Sequence, residues 1–442
     1  MTYDVIVLGS GPAGFYFAKT AASHGKKVLI IEKEYLGGTG FRTGCLPVKK
    51  YLDGLRQARA VELATNEEWC SGTVDKKKLY TALNKNMSTV EELMNRQLHL
   101  RNIDLVYGEP TVESSTCVLV ESKKYSASQV VIATGTSTNP LLGCAVDEKI
   151  ILTHKGMVAQ KTLPSSVVII GGNVEGIEFA SYLSGFGVEV TIVALGSELL
   201  EGTDRDLCQE TLDYIKANNG RVLLKSEVTS IEVSDGQGIV TLADTTELIA
   251  EKVLITGARS GNIPRGLEAL SPEMSDTCLA VDEHYETSIK GVYAIGDVNG
   301  LHGMAHIAIQ QGIQLADYLY NGTLPVRNYD SLPRSIFTIN EIAGAGLQEN
   351  ACKEMNISYS VKEVAFDQTF RGWSKALRFG KIKLIFDDRQ YLIGAWMTGE
   401  SASDYIGMIG LWIDRKISLE EIKASLFIHP SLGEGLLDAA IN

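Results

Sequence analysis

An α/β fold is predicted for this 442-residue chain from two observations: a pattern of strand, glycine turn, helix and strand at its start, and a second copy 162 residues further on. The first copy, "YDVIVLGSGPAGFYFAKTAASHGKKVLIIEKE", begins at Tyr3. Its β-branched strand runs into Gly9, which permits a tight turn. Gly11 lets the backbone approach a pyrophosphate at the helix N-terminus, and Gly14 lets helix and strand pack closely. Glu32 closes the second strand, where a carboxylate can accept hydrogen bonds from a ribose. A bare GxGxxG is weak, but one set between two strands with an acid at this distance is a specific dinucleotide fingerprint.

The second copy is "SVVIIGGNVEGIEFASYLSGFGVEVTIVALG", with Gly171 over Gly9, Gly176 over Gly14, Ala180 over Ala18 and Gly187 over Gly25. Two Rossmann-like units imply two dinucleotides. Asn173 stands where the first copy has Gly11, and Ala194 where it has Glu32. Asn tolerates a left-handed turn, yet its side chain narrows the approach to the phosphates. Without the acid, the preference for a free ribose 2′-hydroxyl is lost, and no arginine cluster follows in "ALGSELLEGTD" to hold a 2′-phosphate. NADH and NADPH therefore both stay open, as does a vestigial second unit that binds neither.

Composition narrows the classes. The net charge is −13, from 41 Lys+Arg against 54 Asp+Glu, and gives no basic field for a nucleic acid or an anionic membrane. No run of about 18 apolar residues and no charged leader with an apolar h-region precede or interrupt the pattern, so a cytoplasmic, non-membrane protein is expected. The seven cysteines (45, 70, 117, 144, 208, 278 and 352) are scattered and lack a metal-type CxxC pair. Six read as small buried or half-buried hydrophobes, and no metal site is expected. Cys45 differs by its context, "GGTGFRTGCLPVKK" at residues 37–50.

Further motifs extend the pattern: "VVIATGTSTNP" at 130–140, "GVYAIGDVNG" at 291–300, "FTINEIAGAGL" at 337–347, "LIGAWMTGESASDYI" at 392–406 and "HPSLGE" at 429–434. With these in order, the chain resembles the pyridine nucleotide-disulfide oxidoreductase family, which includes dihydrolipoamide dehydrogenase, glutathione reductase and mercuric reductase. The resemblance runs from Tyr3 to about Ala440. It implies FAD, NADH or NADPH, a homodimer, and four stretches: 1–145 and 257–330 forming the FAD part, 146–256 the NAD(P) domain, and 331–442 an α+β dimerisation domain. It carries cofactor contacts onto Gly9, Gly11, Pro12, Ala13, Gly14, Glu32, Lys33, Gly38, Thr39, Ala133, Thr134, Gly135, Gly296, Asp297 and Ala305 for FAD, and onto Gly171, Asn173, Gly176 and Gly257 for the nicotinamide nucleotide. One long helix is expected over about 75–101.

In the resembled enzymes, hydride passes from NAD(P)H to flavin, and the reduced flavin opens a disulfide between two cysteines five positions apart. Cys45 matches the inner, flavin-facing position, whereas Gly40 occupies the outer one. A thiol at a helix start near a lysine favours its thiolate. Lys49 matches the family lysine near the flavin, and Glu178 its partner carboxylate. His429 and Glu434 match a His and Glu dyad that reaches across the dimer to the partner's site, where the carboxylate orients the ring for proton exchange. His306 is read as structural or supporting, Arg42 as a solvated residue or an attraction for an anionic substrate, and Val174 as an aliphatic gate of the dihydrolipoamide dehydrogenase type.

Exchange between thiols at 40 and 45 is impossible, and the missing side chain is expected to leave room beside Cys45. The function implied is reduction of a small-molecule acceptor at the flavin: a thiol-derived compound, a quinone or a metal ion. Cys45 either forms a covalent adduct or remains a thiolate that tunes the flavin. The alternative from another class is a non-catalytic FAD-binding sensor or structural flavoprotein.

Overall fold

Strand Thr2–Leu8 is the centre of the first sheet, because its apolar residues are buried on both faces. It pairs in parallel with Val28–Glu32 on one side and Lys123–Ile132 on the other, in the register Val5↔Val28 and Val5↔Gln129. Asp104–Tyr107 extends the sheet beyond Val28–Glu32. Lys123–Ile132 has two successive neighbours on its far side. Its first half pairs antiparallel with Cys117–Val120, and its last three residues pair in parallel with the returning strand Val292–Ala294. The returning segment therefore ends beside the first glycine turn.

A computed structural model describes residues 2–66, 71–85, 89–322 and 329–442. The chain divides into two compact units: Met1–Lys50 with Lys78–Thr162 and Leu254–Val326, and Tyr51–Lys77 with Leu163–Val253 and Arg327–Asn442. In the first unit, alternate residues of the central strand serve two cores. Val5 and Val7 face one, with Phe17, Ala18 and Leu315, and Ile6 and Leu8 face the other, with Leu29, Ile31 and Val130. Helix Pro12–Ser23 packs on helix Ala305–Asn321 at close range, since a Cβ on Gly312 would lie 2.4 Å from the Ala13 carbonyl oxygen.

The long helix expected over 75–101 is found as Lys76–Lys85 and Thr89–His99. Residues 86–88 and Cys70 lie outside the described residues.

The second unit carries the repeated pattern. Ser166–Ile170, Glu189–Val193 and Gly220–Leu223 pair in parallel, with helix Val174–Gly185 following the first of them. A separate antiparallel sheet joins Val228–Ser234, Gln237–Leu242 and Glu247–Ala250. The C-terminal part is α+β: Glu341–Gly346 pairs with Arg334–Ile336 and Leu392–Gly399, followed outward by Lys381–Asp387 and Tyr359–Ala365, all antiparallel. Helices Ala402–Asp414 and Gly435–Ile441 cover this sheet through Ile406, Ile409, Leu436 and Ala440. Among the described residues, no helix is long and apolar enough to cross a membrane.

Lys383, only 2% exposed, lies on strand Lys381–Asp387 of that last sheet, with its Nζ 2.7 Å from both Asp206 and Glu349. Burial alone would lower its pKa, but the two hydrogen bonds outweigh burial and leave it raised.

Candidate active site

The first glycine turn gathers most of the expected cofactor positions. Gly9 has φ of +100°, and a Cβ on it would lie 2.5 Å from the Ala133 carbonyl oxygen, so Ala133 and Thr134 abut the turn. A Cβ on Gly38 would approach Gly11 Cα to 3.1 Å, and one on Gly296 would approach Ala13 to 3.0 Å. Three stretches far away in sequence thus converge on the turn at the N-terminus of helix Pro12–Ser23. That N-terminus has no side-chain cap and no acid in its first turn, and nothing lies within 4 Å of where a Gly11 Cβ would be. First-turn amides that no side chain caps, beside the open space at Gly11, fit a pyrophosphate, as FAD requires.

Ser10 organises this turn, and the sequence reading passed over it. Its amide and hydroxyl donate to Glu32 Oε2 at 2.9 and 2.5 Å, and its Oγ accepts from the Gly37 amide at 3.0 Å. The amide of Glu34 donates to Glu32 Oε1 at 3.0 Å. Both carboxylate oxygens are thereby fixed, and Oε1, which accepts one of these three bonds, keeps a lone pair for a ribose hydroxyl. Lys33 lies outside this network and pairs with Glu109 at 3.0 Å.

The returning turn is held in the same way. Gly296, with φ of +74°, donates its amide to Gln311 Oε1 at 2.7 Å, and the same oxygen accepts from Asn299 at 2.9 Å. Gln311 is fully buried. A polar residue on the buried face of an apolar helix was the signal that could have found it. Burial raises the Asp297 pKa, opposed by the nearby Arg259 guanidinium and by a hydrogen bond to Thr136. Arg259 in turn donates to Thr136 Oγ1 at 2.9 Å. Gly135, with φ of +67°, accepts at its carbonyl from the Asn262 amide at 2.9 Å. Gly257 stands apart, with nothing within 4 Å of where its Cβ would be.

At the cysteine turn, Thr39–Thr43 forms one π-helical turn and Cys45 opens helix Cys45–Asn66. The room expected at position 40 is not there. Gly40 is buried, and a Cβ on it would lie 2.4 Å from Pro12 Cγ, with Ala305 Cβ at 3.7 Å. The helix-start proline closes the space, and Phe41 anchors the turn edge-on against Phe15 with ring centroids 6.2 Å apart. Cys45 and Lys49 are half-buried. His154, 3% exposed and unremarked in the sequence, packs beside this turn: its Cδ2 is 3.8 Å from where a Gly44 Cβ would be. Cys208 and Cys352 are unsuited to exchange, since burial pushes Cys208 up to about 12 and also raises Cys352.

In the second unit, Gly171 has φ of +126° and Asn173 caps helix Val174–Gly185, its Oδ1 accepting from the Gly176 amide at 2.9 Å. Glu178 is buried and accepts from the Phe337 amide at 2.8 Å. His429 Nδ1 lies 3.0 Å from both carboxylate oxygens of Glu434. Ser431 accepts from the Glu434 amide at 3.2 Å, which places that carboxylate at the start of the last helical segment.

A glycine cradle at one helix start, a cysteine opening the next helix and a repeated dinucleotide unit define a flavin-dependent pyridine nucleotide oxidoreductase. Residues 3–312 match the family described as pyridine nucleotide-disulphide oxidoreductase, and residues 332–440 match its dimerisation domain; the chain belongs to this family. Among its relatives, dihydrolipoyl dehydrogenase of Chlamydia pneumoniae is 28% identical over 449 residues, covering 99% of this chain and 96% of that one. The mitochondrial dihydrolipoyl dehydrogenase of Dictyostelium discoideum is 29% identical over 463 residues, covering 99% and 94%. The fold is shared with the HOCl-induced flavoprotein disulfide reductase RclA from Escherichia coli, with a TM-score of 0.89 at 22% identity over 99% of each chain.

Proposed function

We propose that this protein is a homodimeric, FAD-dependent NAD(P)H oxidoreductase that works with one active-site thiol. The observation that carries the reading is the pairing of Gly40 with Cys45: the turn keeps a thiol at the helix start and has no second sulfur five positions before it. Bound FAD would supply acceptance of a hydride and delivery of two electrons. The residues do the rest. The Gly9 to Gly14 turn and the Ser10 and Glu32 pair hold the adenosine diphosphate end, and Asp297 serves the ribityl or phosphate part. Lys49 keeps a cation where negative charge develops. His429, oriented by Glu434, exchanges the proton.

Two forms of the acceptor step fit these residues. In one, the Cys45 thiolate attacks a sulfur of a small disulfide, forms a mixed disulfide and releases the first thiol with a proton from His429. Two electrons then split the mixed disulfide into the Cys45 thiolate and a second thiolate, which takes a proton from solvent and leaves as the second thiol. In the other, Cys45 remains a thiolate beside the flavin, and a quinone or metal ion takes the electrons directly. A second copy of the chain is the expected partner of the dimerisation part. Phe370 and Ile428, large apolar side chains left exposed beside His429, and the exposed Trp373 on the same short helix as Phe370 support that reading.

Anaerobic addition of NADH and then NADPH tests the core of the proposal. Bleaching of the flavin absorbance is expected with at least one of them. No bleaching with either favours the non-catalytic flavoprotein. Ordinary NAD-coupled oxidation of dihydrolipoamide should be negligible, and robust turnover by pure protein would overturn the single-thiol reading.

A further inference from the structure

The two dinucleotide turns of this chain offer an internal comparison. Gly11 and Asn173 hold the same position and nearly the same backbone, with φ and ψ of −63° and −178° in the first and −83° and 179° in the second. Only the side chains differ. At the first helix no side chain caps the first turn, no acid lies in it, and the space beside Gly11 is open. At the second, Asn173 Oδ1 already takes the Gly176 amide at 2.9 Å, and Glu175 places a carboxylate in the first turn. A helix N-terminus attracts anions through its free amides and the positive end of its dipole, and at the second helix Asn173 takes one of those amides while Glu175 sets a negative charge at the dipole.

The ribose end has changed in step. Position 10 in the first copy corresponds to 172 in the second, and 32 to 194. Ser10 with Glu32 is a polar pair; Gly172 with Ala194 is a small apolar one. A Cβ on Gly172 would lie 2.6 Å from Leu199 Cδ2 and 3.0 Å from Ala194 Cβ, so buried apolar groups fill the place of the Ser10 hydroxyl. Both partners of the first unit's polar pair are thus absent, with no oxygen at either position to meet a 2′-hydroxyl.

We propose that Asn173 and Glu175 are affinity-limiting residues for the nicotinamide dinucleotide. Asn173 withholds a helix amide from the pyrophosphate, and Glu175 repels its charge. The nucleotide is then held loosely at its phosphates, with little distinction between a free and a phosphorylated ribose. This rests on the NAD(P)H-linked reading above. Its consequence is an enzyme whose flavin is reduced in proportion to nucleotide concentration rather than at saturation.

Calorimetric titration of the full-length flavoprotein with ADP-ribose and with 2′-phospho-ADP-ribose tests this without any turnover. Asn173→Gly is expected to tighten both ligands about 3- to 10-fold, Glu175→Gln by a similar factor, and Asn173→Asp to weaken them, following the size of cap and helix-end charge effects. Loss of the cap also lowers the melting temperature of Asn173→Gly, opposite in sign to its gain in affinity. A merely structural Asn173 would show the first effect without the second. Measurable binding that Asn173→Gly leaves unchanged or weakens overturns the inference alone. No binding in the native protein or any variant overturns both the inference and the reading on which it rests.

Discussion

His429 Nδ1 sits 3.0 Å from each carboxylate oxygen of Glu434, so the carboxylate holds the imidazole at one nitrogen and leaves the other for proton exchange. If this pair handles the proton of the acceptor step, His429→Gln lowers turnover about 10²- to 10⁴-fold, the usual range for a general acid or base. Anaerobic reduction of the flavin by nicotinamide nucleotide should remain, because that half-reaction does not use the pair. Stopped-flow traces of both halves check the split. Equal loss in the two halves would remove His429 from the acceptor step.

Cys45 opens a helix, whereas burial pushes Cys208 up to about 12 and raises Cys352. Iodoacetamide at about pH 7.5 should therefore modify Cys45 and spare the other two until the protein unfolds. Peptide mass spectrometry reads this directly. In Cys45→Ser, any long-wavelength band from thiolate beside flavin should disappear.

Ser10 Oγ links Glu32 to the Gly37 amide. Ser10→Ala leaves that buried amide without its acceptor, at a cost of about 1–3 kcal/mol, and frees Glu32 to move. Faster release of FAD on mild heating is expected, followed by flavin fluorescence. Unaltered retention of FAD would show that the Ser10 link does not hold the cofactor turn.

Lys383 joins Asp206 and Glu349 across segments far apart in sequence. Lys383→Met should destabilise the protein by about 2–3 kcal/mol, less than a fully dry pair, because both carboxylates keep partial access to water. Burial pushes the Asp206 carboxyl up, but hydrogen bonds from Lys381 and Lys383 outweigh it and hold it low; the Lys383 hydrogen bond likewise lowers Glu349. Depressed carboxyls give stability that is complete above their unfolded values of about 4 and is lost as pH falls through the folded ones. The raised lysine contributes fully below its ordinary value of 10.5 and loses its contribution as pH rises through its folded value. Urea midpoints from about pH 6 down to 2.5 should fall steeply in the native protein and less steeply in Lys383→Met.

Much of this molecule was legible from local pattern. The glycine turns at Gly9 and Gly171, the strands that lead into them and the acid at Glu32 are encoded within some thirty residues each, because strand burial, turn dihedrals and helix starts are short-range demands. Cys45, Gly40, His429 and Glu434 could be named in the same way, by position within short motifs.

What tertiary structure alone decided lies between such motifs. The sequence places Gly40 opposite a missing thiol and suggests a vacancy, yet Pro12, 28 residues earlier, closes it. Asn173 reads as a residue that crowds a phosphate, and only the folded turn shows its amide oxygen turned onto Gly176. Gln311 under Gly296, His154 beside Gly44 and Lys383 among its carboxylates follow the same rule. Each depends on which distant segment fills the neighbouring space. Close packing settles that for the whole chain at once, whereas periodicity records only what each segment needs for itself.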